Sequence, residues 1–486
     1  MSLTGALSNA VSGLNAASRS AQVVSTNLAN IMTDGYGRRE VELGARYGTG
    51  GGVEITGVTR QQSPALVAEM RSVGSETAFS GELADFHNRL ERLVGTPDSN
   101  TSLTARLADL EASFVSAASR PDLPGRLDAV VQDAATLARS LGEMSSGIQT
   151  MRQEADSTID SGVKTLNTQL KQVEKLNGEI ARGENNGFEI SGLKDQRQVL
   201  IDSISEWIPL REIDRGNGRV ALYTLGGAQL VDGPASELSF ATAHTIVPQM
   251  TKDAGLLSGL SINGTEVSVD PESGPLRGGG RLTALFEVRD THAVSAQSEL
   301  DAVARDLVER FQDPAIDATR GPTDAGLLTD GGAAFAAIDE VGLSGRLQVN
   351  ALVDSAQGGA SWRLRDGMGA ATQGAAGNAS LLQDYTAALS ADRSIASGGF
   401  AGMSRSATQL GANFSSGVSA SRLSYESELA FAATRSAEIE TMLLAEGVDS
   451  DQEMQKLLMI EQAYAANAQM MQTVEEMMDT LMGAIR

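Results

Sequence analysis

The sequence predicts a mainly α-helical chain with an inserted β-rich module, and three observations carry that expectation. The eleven prolines leave long gaps: none precedes Pro64, none falls between Pro124 and Pro209, and none follows Pro322. Proline breaks a helix interior at a cost of about 3 kcal/mol, so each gap permits a long helix. Both ends of the chain carry apolar residues at heptad spacing. Elsewhere, short apolar runs alternate with Gly-rich turn signals, the pattern of hairpins.

At the start, Leu3, Leu7, Ala10, Leu14, Ala17, Ala21, Val24, Leu28 and Ile31 recur at alternating steps of four and three and stop at Asp34-Gly35-Tyr36-Gly37. This spacing predicts a coiled-coil seam, with Ser2 as its N-cap. A helical block is expected over 77–119. From Gly125 to Trp207 the apolar positions Leu127, Val130, Ala134, Leu137, Leu141, Met144 and Ile148, then Val163 to Ile180, keep helical spacing. They predict one very long helix, interrupted near Gly142 or Gly147. Shorter helices are expected over Ser191–Ile208 and Leu282–Phe311, and in parts of 379–395 and 403–446. At the far end Leu457, Ile460, Tyr464, Asn467, Met471, Val474, Met478, Leu481 and Ile485 form the matching seam. Asn467 is its one polar member, the kind of residue that sets register at a cost in stability.

Strands are expected between Leu210 and Ser239, around Arg215-Gly216-Asn217-Gly218, Leu225-Gly226-Gly227 and Asp232-Gly233-Pro234. Asn263-Gly264, between Leu260-Ser261-Ile262 and Glu266-Val267-Ser268-Val269, is the clearest hairpin signal. Leu347-Gln348-Val349 and Ser361-Trp362-Arg363-Leu364 read as two more strands. The expected organisation is a terminal coiled-coil core domain of 1–40 and 450–486. A helical rod domain of 41–209, 277–312 and 376–449 follows, with a β-rich outer domain of 210–276 and 313–375.

Composition removes much chemistry. The chain has 486 residues and a formal net charge of −24, which argues against nucleic acid, whose phosphates require clustered Lys and Arg. Cysteine is absent, and the three histidines, His87, His244 and His292, have no metal-ligand spacing. The N-terminus lacks the basic and apolar regions of a cleaved secretory signal, and no apolar run is long enough to span a membrane. The clusters Gly48–Gly52 and Gly278–Gly280 lack the Lys-Ser/Thr of a phosphate loop and read as flexible loops. Val448-Asp449-Ser450-Asp451-Gln452-Glu453 lacks the central Gly of a calcium loop, so Ser450 or Asp451 is expected to cap the last helix. No catalytic, cofactor-binding or metal-binding residue is assigned. Eight of the sixteen methionines lie at or beyond Met442, either as an ordinary apolar helix face or as a surface that adapts to more than one partner. A single apolar stripe cannot bury itself, so each terminal helix needs a neighbour: the other terminus, another copy, or another protein. The seam residues Leu3, Leu7, Leu14, Val24, Leu28, Ile31, Leu457, Ile460, Tyr464, Asn467, Met471, Val474, Met478 and Leu481 are the expected assembly interface.

The run from Ala21 through Asn27-Leu28-Ala29-Asn30 to Thr33-Asp34-Gly35-Tyr36-Gly37-Arg38-Arg39 resembles the N-terminal signature of bacterial flagellar axial proteins, with Asp34 where that signature has proline. Glu461 to Ala468 and Gln472 to Leu481 resemble the matching C-terminal signature. Leu193-Lys194-Asp195-Gln196-Arg197, and Gly278-Gly279-Gly280-Arg281-Leu282 through Phe286-Glu287-Val288-Arg289-Asp290, resemble internal motifs of the hook-associated members. The resemblance marks Asn27, Asn30, Gly35 and Tyr36 as motif residues. It implies a non-enzymatic structural adaptor at the hook–filament junction that self-assembles through its terminal helices. It further implies secretion through the flagellar export apparatus and a cytoplasmic export chaperone bound at the C-terminal region. The implied partners in the assembly are hook protein and the next hook-associated junction protein. Another axial subunit (hook, rod or filament-like) and a wall-cleaving enzyme stand as alternatives.

Overall fold

The computed structural model describes residues 3–33, 35–46, 51–96 and 99–484. Ser2, Asp34, Ile485 and the Gly48-Thr49-Gly50 part of the first glycine cluster lie outside the described residues. In chain order, α1 (Leu3–Ala29) leads to a hairpin of β1 (Arg38–Ala45) and β2 (Val53–Gln61), then α2 (Pro64–Val94), α3 (Leu103–Ser119), α4 (Pro124–Asn185) and α5 (Ser191–Trp207). Next come β3 (Leu210–Asp214), β4 (Val220–Thr224), β5 (Gln229–Val231), β6 (Leu238–Ser239), β7 (Leu260–Ile262) and β8 (Thr265–Val267). After α6 (Arg281–Glu287) a π-helical segment, Val288–His292, runs into α7 (Ala293–Gln312). Short elements follow: β9 (Leu328–Asp330), α8 (Leu343–Arg346), β10 (Leu347–Val349), α9 (Arg363–Asp366), α10 (Ser380–Ser390), β11 (Arg393–Ser394) and β12 (Ser404–Arg405). The chain closes on α11 (Ala407–Glu446) and α12 (Ser450–Ala484).

These elements form two compact units, one of Met1–Glu76, Leu166–Glu237 and Ala432–Arg486, the other of Thr77–Thr165 and Leu238–Phe431. The mainly helical fold with small inserted sheets is the one the proline gaps predict. The long helix is real and unbroken: α4 has 62 residues. Gly147 is a packing site rather than the expected interruption, because a Cβ there would lie 2.6 Å from a Leu93 methyl. The helical block expected over 77–119 is two helices that part at Gly95, whose φ of +82° suits glycine. The 38–61 hairpin was not anticipated, because its apolar side chains Leu43, Val53 and Ile55 stay more than a third exposed and blur the alternation that marks a strand.

In the first unit, β3-β4-β5 is an antiparallel sheet docked on α4 and α5. Asn177 donates to the Val220 carbonyl (2.8 Å) and accepts from the Val220 amide (3.2 Å) and from Arg197 (2.8 Å). Arg197 also reaches the Gly218 carbonyl at 2.6 Å. Both of these turn and strand positions, Gly218 and Val220, were visible in the sequence as Gly216-Asn217-Gly218 and its flanks.

In the second unit, β6-β7-β8 forms another antiparallel sheet, with Asn263-Gly264 at the tip of the β7–β8 hairpin as expected. It is fastened by buried charge. Arg289, fully buried, pairs with Asp156 at 2.6 Å and with Asp290 at 2.8 Å, and donates to the Ser258 carbonyl. Asp156 accepts in turn from Thr242 Oγ1 and the Ala243 amide, both at 2.7 Å. Arg152 reaches the carbonyls of Arg289 and Met250, and the Arg289 guanidinium lies over the Phe240 and Phe286 rings. The glycines 278–280 pack rather than flex: all three have positive φ, and a Cβ on Gly279 would meet the Phe79 ring at 3.1–3.3 Å. Leu347–Val349 is a strand as expected, paired with β9. Ser361–Leu364 is not: it forms a turn leading into α9, where Arg365 pairs with Asp366, and helical backbone wins over the apolar pair Trp362 and Leu364.

Removing the Arg289 head group leaves Asp156 buried without its cation. Arg289→Met is expected to destabilise the second unit by about 3–5 kcal/mol, measured by urea unfolding of the full chain. Arg120→Met, on an exposed pair with Asp122, is expected to have no measurable effect in the same assay.

Candidate functional site at the chain termini

The apolar stripe of α1 requires a neighbour, and the structure supplies α12, which packs along it. Val24 and Val474 are buried, with Ala10 and Ala17 of the same seam. Leu3, Leu7, Leu14, Leu28, Leu457, Ile460, Asn467 and Met471 are half-buried. Tyr464, Met478 and Leu481 stay exposed, at 49%, 41% and 49%. Ile31 falls outside the seam, because α1 ends at Ala29 and Ile31 sits in the following turn. Asn467 lies against Gly13, where a Cβ would come within 2.7–2.8 Å of its amide. Gly13, with no side chain, thus makes room for the one polar residue of the opposite seam.

At the base of the pair, Asn27 is wholly buried. A buried amide must find partners for two donors and two acceptor lone pairs, and Asn27 finds all four. Its Nδ2 donates to the Arg39 carbonyl (2.9 Å) and to Glu453 Oε2 (3.1 Å). Its Oδ1 accepts from the Tyr36 hydroxyl (2.8 Å) and the Arg39 amide (3.0 Å). Glu453, 1% exposed, also takes Arg38 Nε at 2.9 Å. Burial raises the Tyr36 phenol above its ordinary range, which keeps the proton it donates to Asn27. One side chain therefore ties together α1, the turn, β1 and the first turn of α12.

The remaining motif residues shape the turn. Asn30 Nδ2 closes on the Thr26 carbonyl at 2.8 Å and Asn30 Oδ1 accepts from Thr33. Gly35 has φ +72°, and a Cβ there would come 2.4 Å from a Val199 methyl, so both conformation and space exclude a side chain. Asp195 of α5 holds the turn by pairing with Arg39 (2.9 Å) and Arg60 (2.8 Å) and by accepting from the Gly37 amide. That accounts physically for the Lys194-Asp195-Gln196-Arg197 patch: Asp195 binds the turn and Arg197 binds the sheet. Gly52 of the first glycine cluster, φ +110°, brings the hairpin onto α1, where Ser12 Oγ accepts from the Val53 amide at 3.1 Å.

Two residues escaped the sequence reading. Asp449, not Ser450 or Asp451, caps α12: its Oδ1 accepts from the Asp451 and Gln452 amides at 2.8 and 3.1 Å. Glu453 was passed over because a search for apolar residues stops at Leu457. Stepping the seam four residues back from there lands on it. Among the described residues no cluster of His, Asp or Glu could hold a metal ion, and no helix is long and apolar enough to cross a membrane.

Comparison with known proteins agrees with this architecture. Residues 87–314 match the flagellar hook-associated protein FlgK helical domain, and residues 440–484 match the flagellar basal body rod FlgEFG protein C-terminal domain. The chain is 23% identical over 317 residues to flagellar hook-associated protein 1 of Escherichia coli (strain K12), covering 63% of this chain and 56% of that protein. It is 22% identical over 343 residues to flagellar hook-associated protein 1 of Bacillus subtilis (strain 168), covering 63% and 66%. The structure of the flagellar hook junction protein FlgK from Burkholderia pseudomallei aligns at a TM-score of 0.43 and 19% identity, covering 55% of this chain and 47% of that one. The chain spans between about half and two thirds of the length of the curated relatives it matches. The helical-domain match at 87–314 and the rod-type match at 440–484, most of which lies on α12, make the chain similar to bacterial flagellar axial proteins. Within that class, the relatives the chain resembles are flagellar hook-associated protein 1 of several bacteria.

Asn27→Ala strands the Arg39 amide, the Tyr36 hydroxyl and one Glu453 oxygen. It is expected to lower the stability of the first unit by about 1–3 kcal/mol and to speed amide hydrogen exchange in the first turns of α12, read by mass spectrometry.

Proposed function

We propose that this chain is a structural adaptor that joins the flagellar hook to the filament through the next junction protein. It polymerises by the faces its terminal helices leave open. The observation that supports the reading is the α1–α12 pair: locked at one end by Asn27, Arg38 and Glu453, it keeps an uncovered apolar face along α12. Met454, Leu458, Met459, Tyr464, Met470 and Met482 are all 47–70% exposed on that helix. Such a surface in water favours burial against another subunit, and flexible methionines suit two different neighbours. In this reading residues 1–40 and 450–486 form the inner core, with 41–209, 277–312 and 376–449 as the surrounding rod and 210–276 and 313–375 outermost. The chain leaves through the flagellar export apparatus with a chaperone at its C-terminal region, and works without catalysis or cofactor.

A wall-cleaving enzyme would need convergent free carboxylates. An acid-lined groove of about 290 Å³, bordered by Asp253, Asp270, Glu287 and Asp290, has two of its four carboxylates committed. Asp290 is held by Arg289, and Asp270 accepts from Glu272 and Ser273 in its own turn. The structural reading is favoured on that ground.

In cells lacking the chromosomal copy, Leu14→Asp or Met471→Asp is expected to give hooks without filaments, with filament subunits lost to the medium. The purified variants should retain the second unit's cooperative unfolding. Electron microscopy and motility assays check this, and swimming at the normal rate with either variant overturns the proposal.

A further inference from the structure

The second unit holds a group that the assembly reading does not use. His87 of α2 is 6% exposed, and neither of its ring nitrogens has a hydrogen-bond partner among the described residues. Its ring stacks on Tyr425 of α11, with centroids 4.5 Å apart and planes 11° from parallel. It meets His292 of the π segment edge-on at 5.1 Å and Phe86 at 5.0 Å. His292 in turn meets Tyr425 edge-on at 5.5 Å. Two imidazoles and a phenol thus close the seam where α2, the π segment and α11 come together. A neutral imidazole fits such a site; an imidazolium, with two N–H donors and nothing to accept them, does not.

We propose that the His87–His292–Tyr425 cluster is an acid-release catch for the helical layer of the second unit, which holds α2 on α11 while the imidazoles are neutral and frees them when His87 takes up a proton. The charges facing the cluster do not compensate. From the π segment the facing group is His292, whose own protonation adds repulsion, with Glu287 in the preceding helix. From α11 it is Tyr425, and Glu287 and Glu428 both act on its hydroxyl. On α2, Glu91 is taken by Arg422 at 2.7 Å, and Asp85 and Arg89 pair with each other while Arg89 also pairs with Glu154 of α4.

Burial, then repulsion from His292, pushes His87 down to about 4, and burial lowers His292 as well. An unfolded chain binds these protons at the ordinary imidazole value, so folding competes with protonation. The stabilisation is full above about pH 6.5 and is lost as pH falls through that value towards 4.

The chain has only three histidines and two tryptophans, Trp207 in the first unit and Trp362 in the second, which makes the test direct. Histidine ring NMR on the full chain is expected to show that His87 stays neutral through pH 5.5. In a Trp207→Phe background, Trp362 fluorescence is expected to report an unfolding equilibrium roughly 30-fold less favourable to the folded state at pH 5 than at pH 8. His87→Phe, which keeps the stacked ring and cannot titrate, is expected to remove most of that difference. If His87 titrates near the ordinary imidazole value of about 6.5, or if His87→Phe leaves the pH profile unchanged, the catch does not exist. Should His87→Phe fail to fold, the NMR titration of the unaltered chain still decides.

Discussion

The four hydrogen bonds of Asn27 are the constraint on which the first unit depends. They join α1, the turn after it, strand β1 and, through Glu453, the start of α12, segments drawn from opposite ends of the chain. Because Asn27 is wholly buried, its amide has no water to fall back on, and each partner it lacks leaves a polar group stranded. The network therefore acts as a joint: the contact of α12 with α1 at this end runs through the same residues that place Tyr36 and Arg38. Gly35, Gly37 and Asp195 make that placement possible, and Gly13 makes room for Asn467 further along the pair.

This division of labour explains why the terminal helices can be regular and still incomplete. The base of the pair is specified by polar chemistry, which tolerates one arrangement. The far part of α12 is specified only by methionine, leucine and tyrosine side chains, which accept many neighbours. In the adaptor role proposed above, a subunit gains from a rigid base and an adaptable remainder. The second unit follows the opposite rule. Its buried Arg152–Asp156–Arg289–Asp290 network and the His87 cluster hold small sheets and long helices in a single arrangement, with the charged groups satisfied internally.

Much of this was readable from residue patterns. The proline gaps located α4, α11 and α12, the Asn-Gly and Gly-Gly dipeptides located the β3–β5 and β7–β8 hairpins, and the heptad seams located the α1–α12 pair. What escaped was structure whose cause lies in distant residues. Gly147 looked like a helix break because nothing near it in sequence reveals Leu93. The 38–61 hairpin was hidden because its faces are both half-solvated. Glu453 was invisible to a search for apolar positions, since its burial depends on Arg38 and Asn27 more than four hundred residues away.

The absence of cysteine from the natural chain permits a direct trial of the central claim, that α1 and α12 of one copy pair at the register that places Gly13 against Asn467. A double variant, Gly13→Cys with Asn467→Cys, would be oxidised in dilute solution and resolved on a non-reducing gel. The account predicts a disulfide within a single chain, formed in high yield, while Gly13→Cys paired with Val474→Cys stays reduced. Cross-linking only between two chains, or equal yield at both positions, would contradict it.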